Sequence, residues 1–359
     1  YVIDPLFTRN NSLTPDDIKN NDEIQSNHYV REIPEKEIFP NLEERTGQLL
    51  TMAVFDLAFY PEERGFYNYD VAGEPGLSSG ITVDGKLKDP ETRWGGVMRD
   101  ITTNDFEAAN IEFIEFWMMD PFHSDNGISD PKGGDLYFNL GSISEDILRD
   151  GRKSFENGLP PSATITSVDT TIWGRVPSTQ SIVDAFDNDP DARAFQDVGL
   201  DGLSDADEEL FFENYLDSIA ILYSTSSKAY KKAAEDPSSD NYHYFRGGDY
   251  DERKLSILGR YKKYNGLDGN SPPTENSPES YPTSSTTLPN KEDINRDNTL
   301  SENESYYQYR ISLRPQDMVV GQNYITDAVT GDGTTADGNT IDIKWYQFKI
   351  PIKNPDKVI

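Results

Sequence analysis

The sequence predicts a mainly β fold: a β-sandwich of jelly-roll or galactose-binding-like type that carries a large, mostly helical and loop-rich insertion. Three observations predict it. Apolar and aromatic strand patterns fill parts of residues 45–150 and return in 300–359, helical patterns occupy much of 151–299, and a Ser-, Pro-, Thr- and Asn-rich run leads from the helices back to the strands. A length of 359 residues suits two ordinary domains or one large domain with an insertion.

Taken in order, residues 1–44 are polar and punctuated by Pro and Asn, and read as an extended segment. From 46, "TGQLLTMAVFDLAFYPEERGFYNYD" supplies a strand-like run ended by a turn, and "TRWGGVMRDI" a second. In "NIEFIEFWMMDPF", Ile111, Phe113, Ile114, Phe116, Trp117, Met118 and Met119 leave almost no polar face, as expected of a strand buried on both sides; "DLYFNLG" reads similarly. A helix is expected next, with Ser142 and Glu145 as a capping box and Ile143, Ile147 and Leu148 on one face.

In the middle, "STQSIVDAFDNDPDA" and "SDADEELFFENYLDSIAILYSTSSKAYKKAAED" read as helices, the second with an acidic start and a basic end that suit the helix dipole. After the polar linker, "YYQYRISLRP" alternates, with Tyr307, Tyr309, Ile311 and Leu313 on one face. "NTIDIKWYQFKIPI" begins with Ile341, Ile343 and Trp345 on one face and then moves its apolar set to Tyr346, Phe348 and Ile350, which implies a bulge or burial on both sides.

Charge and composition exclude several functions. A net charge of -31, from 33 basic and 64 acidic residues, repels phosphate backbones and anionic lipid heads, so nucleic acid is not an expected partner. There are no cysteines, which removes disulfides, thiolate zinc sites and thiol nucleophiles. Mean hydropathy is -0.71 and no run of about 18 apolar residues occurs, so no spanning helix is expected. The opening at Tyr1, with no initiator Met or signal-like segment, predicts a fragment or a processed chain.

Two acidic loops carry the metal chemistry. In residues 293–304, Asp293, Asn295, Asp297 and Glu304 fall at positions one, three, five and twelve, Thr299 offers its carbonyl at seven, and Leu300 at eight is apolar. Oxygen ligands at that spacing wrap calcium; Asn298 replaces the usual glycine at position six and tolerates the left-handed conformation required there. In "DVGLDGLSDADE", Asp197, Asp201, the Leu203 carbonyl, Asp205 and Glu208 take positions one, five, seven, nine and twelve. Position three is Gly199, a gap that water or a neighbouring carboxylate would fill. The expected cofactor is structural calcium, which offsets carboxylate repulsion and fixes irregular backbone; the competing explanation for the second loop is an acidic helix start.

Catalytic readings fare worse. Pairs such as Asp120 with Asp125 or Glu112 with Glu115 arise by chance among 64 acids, so no two-carboxylate glycosidase site stands out. His28, His123 and His243 form no HExxH pattern, and the glycines of "RWGG", "KGGD" and "FRGGDY" form no phosphate loop.

The stretches "RWGGVMRDI", "ANIEFIEFWMMDPF", "GDLYFNLGSISEDILRDGRKSFENGLP", "DVGLDGLSDADE", "EDINRDNTLSENESYYQYRISLRP" and "KWYQFKIPI" together resemble the SprA (Sov) family of Bacteroidetes, from about residue 45 to the C-terminus. The resemblance implies part of the outer-membrane translocon of the type 9 secretion system, a large β-barrel that exports folded cargo and supports gliding motility. Serial alternating strands of about ten residues are missing, so the chain is expected to be an extramembrane domain without direct membrane insertion. The family suggests no catalytic motif; its implied partners are a PorV-like shuttle, a plug protein and secreted cargo. A calcium-dependent cell-surface carbohydrate-binding module is the alternative, and a glycosidase the third reading.

Overall fold

The computed structural model describes residues 22, 26–29, 31–43, 50–65, 79–103, 105–123, 131–146, 157–162, 167–178, 182–199, 201–241, 243–244, 247–255, 259–260, 288–289 and 292–359. In chain order the strands are β1 (Phe113–Met119), β2 (Gly134–Ser142), β3 (Val168–Thr170), β4 (Arg175–Pro177), β5 (Ser305–Leu313), β6 (Ile325–Thr334), β7 (Thr340–Pro351) and β8 (Lys357–Val358). The helices are α1 (Pro190–Arg193), α2 (Asp205–Phe211), α3 (Glu213–Tyr223), α4 (Lys228–Glu235) and α5 (Gly248–Glu252). Contacts divide the chain into a strand unit of residues 1–57, 102–143 and 304–359, and a second unit of residues 58–101 and 144–303. Residues 58–101, which read as part of the first strands, thus group with the helices.

The strand unit holds two antiparallel three-stranded sheets, ordered β1-β7-β6 and β2-β5-β8. Each pairs a strand from before the second unit's long excursion with one from after it: Phe116 lies opposite Phe348, and Ser142 opposite Ser305. Strand β7 is apolar on both faces, as its sequence requires. Tyr346, Phe348 and Ile350 enter a cluster with Tyr309 and Ile311 of β5 and with Ile114, Phe116, Leu136 and Phe138. Ile341, Ile343 and Trp345 point the other way, against Ile33, Ile38, Trp117 and Met119. Two-sided burial therefore accounts for the shifted pattern; the register irregularity lies in β6, between Ile325 and Asp327. Phe116 and Phe348 stack with centroids 5.0 Å apart, and burying a side chain as large as Phe348 contributes about 1.5–3 kcal/mol.

Several expectations differ from the structure. The segment read as extended and unanchored supplies Ile33 and Ile38 to the second face of β7, and its Glu37, ion-paired with Arg31, accepts a hydrogen bond from Trp345 Nε1 at 3.3 Å. Residues 52–60 and 93–101 form no strand: the first pairs only at its start, where Thr51 bridges Pro34 and the Met52 amide donates to the Ile33 carbonyl, and in the second Trp94 and Val97 are exposed. Strand β2 is buried on one side only: Leu136, Phe138 and Leu140 face the cluster, whereas Tyr137 is exposed. Ser142 closes β2 instead of capping a helix; the rest of that expected helix, from residue 147, lies outside the described residues. Of the helix expected over 178–192, the described residues form only α1.

The second unit builds its apolar cluster from helix periodicity. Phe212, Tyr215, Leu216 and Ile219 lie on one face of α3 and its entry, and Ala229 and Ala233 on one face of α4. Ile81 and Leu87 complete the cluster with Trp173 and Leu203, and Val83 and Ile81 accept hydrogen bonds from the Ala229 amide and the Tyr223 hydroxyl. These bonds explain why residues 58–101 group with the helices. Among the described residues no helix is long and apolar enough to cross a membrane.

Candidate metal centre

The loop before α2 is held by close backbone approach. The Arg175 amide donates to the Asp201 carbonyl at 2.8 Å, and the Arg175 side chain donates to the Gly202 carbonyl at 2.9 Å. Gly202 has φ +69, and a Cβ there would stand 2.3 Å from the Arg175 carbonyl oxygen; a Cβ on Gly174 would meet the Asp201 carbonyl at 2.1 Å. Both positions therefore demand glycine. The turn presents Asp201 inward, with Oδ1 accepting from the Leu203 amide at 2.8 Å. Leu203 sinks into the apolar cluster, and Ser204 starts α2, whose one buried residue is Glu208.

A third acid arrives from the turn after α4. Asp240 accepts from Ser238 Oγ at 2.5 Å, its amide donates to Asp236 at 3.2 Å, and its Oδ2 lies 3.4 Å from the Asp201 amide. The Ser238 amide donates to Glu208 Oε2 at 3.3 Å. Asp201, Glu208 and Asp240 are all buried, and one oxygen from each lies within 4.8 Å of the others. Two oxygens stay unserved: Asp201 Oδ2 and Glu208 Oε1 are buried without a hydrogen-bond partner.

Three ionised carboxylates at this spacing repel by about 3–4 kcal/mol per pair at an effective dielectric of about 20. Burial first, and then the neighbouring Asp240 and Glu208 carboxylates, push Asp201 well above the usual carboxylate range. Burial, with Asp240 and Asp236 beside it, pushes Glu208 up to about 9. Such a group of oxygens either shares protons or holds a hard cation.

Of the residues read from the second acidic loop, the structure brings together Asp201 and Glu208. Asp197 is ion-paired with Arg193 at 3.2 Å, and Asp205 is exposed at the first residue of α2. Sequence reading missed Asp240, although the absent ligand at Gly199 called for a neighbouring carboxylate.

The first loop is folded on its own amides. Asp293 accepts from the Asp297 and Asn298 amides at 3.1 Å each, and Asp297 accepts from the Thr299 amide and hydroxyl at 2.8 and 2.6 Å. The Thr299 bonds hold Asp297 below the usual carboxylate range. Asn298 takes φ +63, the left-handed conformation its position requires, and Leu300 is buried against Val183. Asn295 Oδ1 accepts from the Asp297 amide at 2.9 Å, whereas Glu304 is exposed and groups with the strand unit. Glu145, read as a helix cap, instead clamps this loop: its two oxygens accept from the Ile294 and Ser301 amides, each at 2.8 Å.

Residues 214–359 match the SprA_N family, described as a motility related/secretion protein. The chain is related to the SprA family. The matched part begins within α3 and includes α4, α5 and all of β5–β8, so the relationship reaches both compact units. No curated protein matches the chain. The family's description assigns this SprA relative a motility- or secretion-related role.

Proposed function

We propose that the chain is a non-enzymatic, extramembrane interaction domain of an outer-membrane protein-export translocon, of the type 9 kind that serves secretion and gliding motility in Bacteroidetes. The observation that carries this reading is the family match over residues 214–359. The strand unit supports it: two sheets gathered on one apolar cluster suit a β-sandwich, a rigid body on which loops can meet a partner. The partners are a PorV-like shuttle, a plug protein or secreted cargo, and calcium at the 293–304 loop is a structural ion. Asp293, Asn295 and Asp297 spend side-chain oxygens on their own loop amides, as residues with an architectural role do.

The test is a pull-down from solubilised envelope with the full chain as bait, in calcium. Enrichment of envelope secretion proteins is expected. Saturable binding to a glycan array that Tyr137→Ala abolishes would replace this reading with the carbohydrate-binding one. Glycan hydrolysis lost on a single Asp or Glu change would make the chain an enzyme.

A further inference from the structure

We propose that Asp201, Glu208 and Asp240 together bind one divalent cation of calcium's size, and that this ion clasps the loop before α2 to the turn after α4. The site differs from a self-contained twelve-residue calcium loop. Position three of that loop is Gly199, which offers no side-chain oxygen, and Asp197 at position one is occupied by Arg193. Asp240 fills the deficit from another segment, so the ion's ligands come from two places in the chain.

Geometry supports the assignment in two independent ways. Two oxygens that share an ion at about 2.4 Å lie at most about 4.8 Å apart, and the three acids each bring an oxygen within 4.8 Å of the others. Secondly, Asp201 Oδ2 and Glu208 Oε1 are buried without a partner, while the other oxygen of each carboxylate accepts a backbone amide. Buried carboxylate oxygens ordinarily find donors. Asp201 and Glu208 are such exceptions, and both converge with a third acid.

Two basic side chains among the described residues reach these segments and bond backbone carbonyls there. Arg64 donates to the carbonyls of Asp236 and Pro237 and lies over the Tyr215 ring, and Arg175 donates to the Gly202 carbonyl. The ligand set is all oxygen, with neither His nor Cys, which selects a hard cation. Calcium suits it better than magnesium, because magnesium demands near-octahedral ligands at about 2.0–2.1 Å and retains its waters. The assignment does not depend on the secretory reading.

The experiment is calorimetric titration of calcium chloride into the chelator-stripped full chain and into Asp240→Asn, Glu208→Gln and Asp293→Asn, with circular dichroism checking that each variant is folded. Asp240→Asn and Glu208→Gln are expected to lose one calcium per chain or to weaken it at least about tenfold, while Asp293→Asn keeps this ion and loses at most the separate one of the 293–304 loop. Glu208→Gln keeps the size of the side chain without its carboxylate, so it is expected to fold in chelator even if Asp240→Asn does not. The proposal is overturned if the wild-type chain takes up no calcium. It is equally overturned if folded Glu208→Gln binds calcium with wild-type number and affinity, or if Asp293→Asn alone abolishes uptake.

Discussion

The strand unit and the second unit bury what they bury by different means. In the strand unit β7 is apolar on both faces and, with its neighbour β1, joins two clusters, so most of the unit's stabilisation is non-directional. The second unit has an apolar cluster on α3 and α4, but the irregular backbone beside it is organised by buried carboxylates: Glu145 on the 292–301 loop, and Asp201, Glu208 and Asp240 between loop and turn. The first arrangement tolerates shape-conserving substitution. The second depends on each donor, each acceptor and each charge.

The largest expected effect breaks the first half of this contrast. Phe348→Ala, at a position fully buried and stacked on Phe116, is expected to cost about 3–5 kcal/mol in denaturant unfolding, equally with calcium and with chelator. A calcium-dependent loss would erase the distinction between the units. Next is Glu145→Ala, which leaves two amides without their acceptor at about 1–3 kcal/mol each. Hydrogen exchange at Ile294 and Ser301 should quicken, with protection in β7 retained.

Gly202→Ala sharpens the contrast from the backbone side. Its φ of +69 and the crowding carbonyl of Arg175 predict a loss of about 1–3 kcal/mol, together with a weaker stabilising response to calcium in thermal melts. The smallest effect belongs to the surface of the strand unit. Arg314 and Arg310 hold Asp135 below the usual carboxylate range. A depressed folded-state pKa stabilises above the unfolded value near 3.8 and loses that contribution as pH falls through the folded value. Because the pair is solvent-screened, its contribution is about 0.2–1 kcal/mol. Asp135→Asn should therefore lower the melting temperature slightly at pH 7, a difference that fades as pH falls through the folded value.

What was legible in the chain follows from how far each signal travels. The two-sided pattern of β7 is local, and its switch from Ile341, Ile343 and Trp345 to Tyr346, Phe348 and Ile350 reads directly as two buried faces. Strand β6, "ITDAVTGDGT", has no apolar alternation and exists because β7 offers it a ladder, so no local reading finds it. The same limit separates Asp201 and Glu208 from Asp240: the first two share a spaced motif, whereas the third sits in "EDPSSDNY" with nothing but tertiary contact to single it out. Glu145 was misread because Ser142 and Glu145 satisfy a capping spacing, while the amides that the carboxylate serves lie about 150 residues away. Ile33 and Ile38 were too sparse to signal burial until the outer face of β7 required cover.

The pairing of Ser142 with Ser305 has a topological consequence. The chain departs for its longest excursion and lands again on one rung of one ladder, so the two ends of that excursion are neighbours. A segment anchored this way can grow, shrink or be exchanged over evolutionary time while its two ends stay on one rung. A short turn joining the same two serines would give a β scaffold only if residues 58–101, whose Ile81 and Leu87 pack on the excursion's helices, were removed with it.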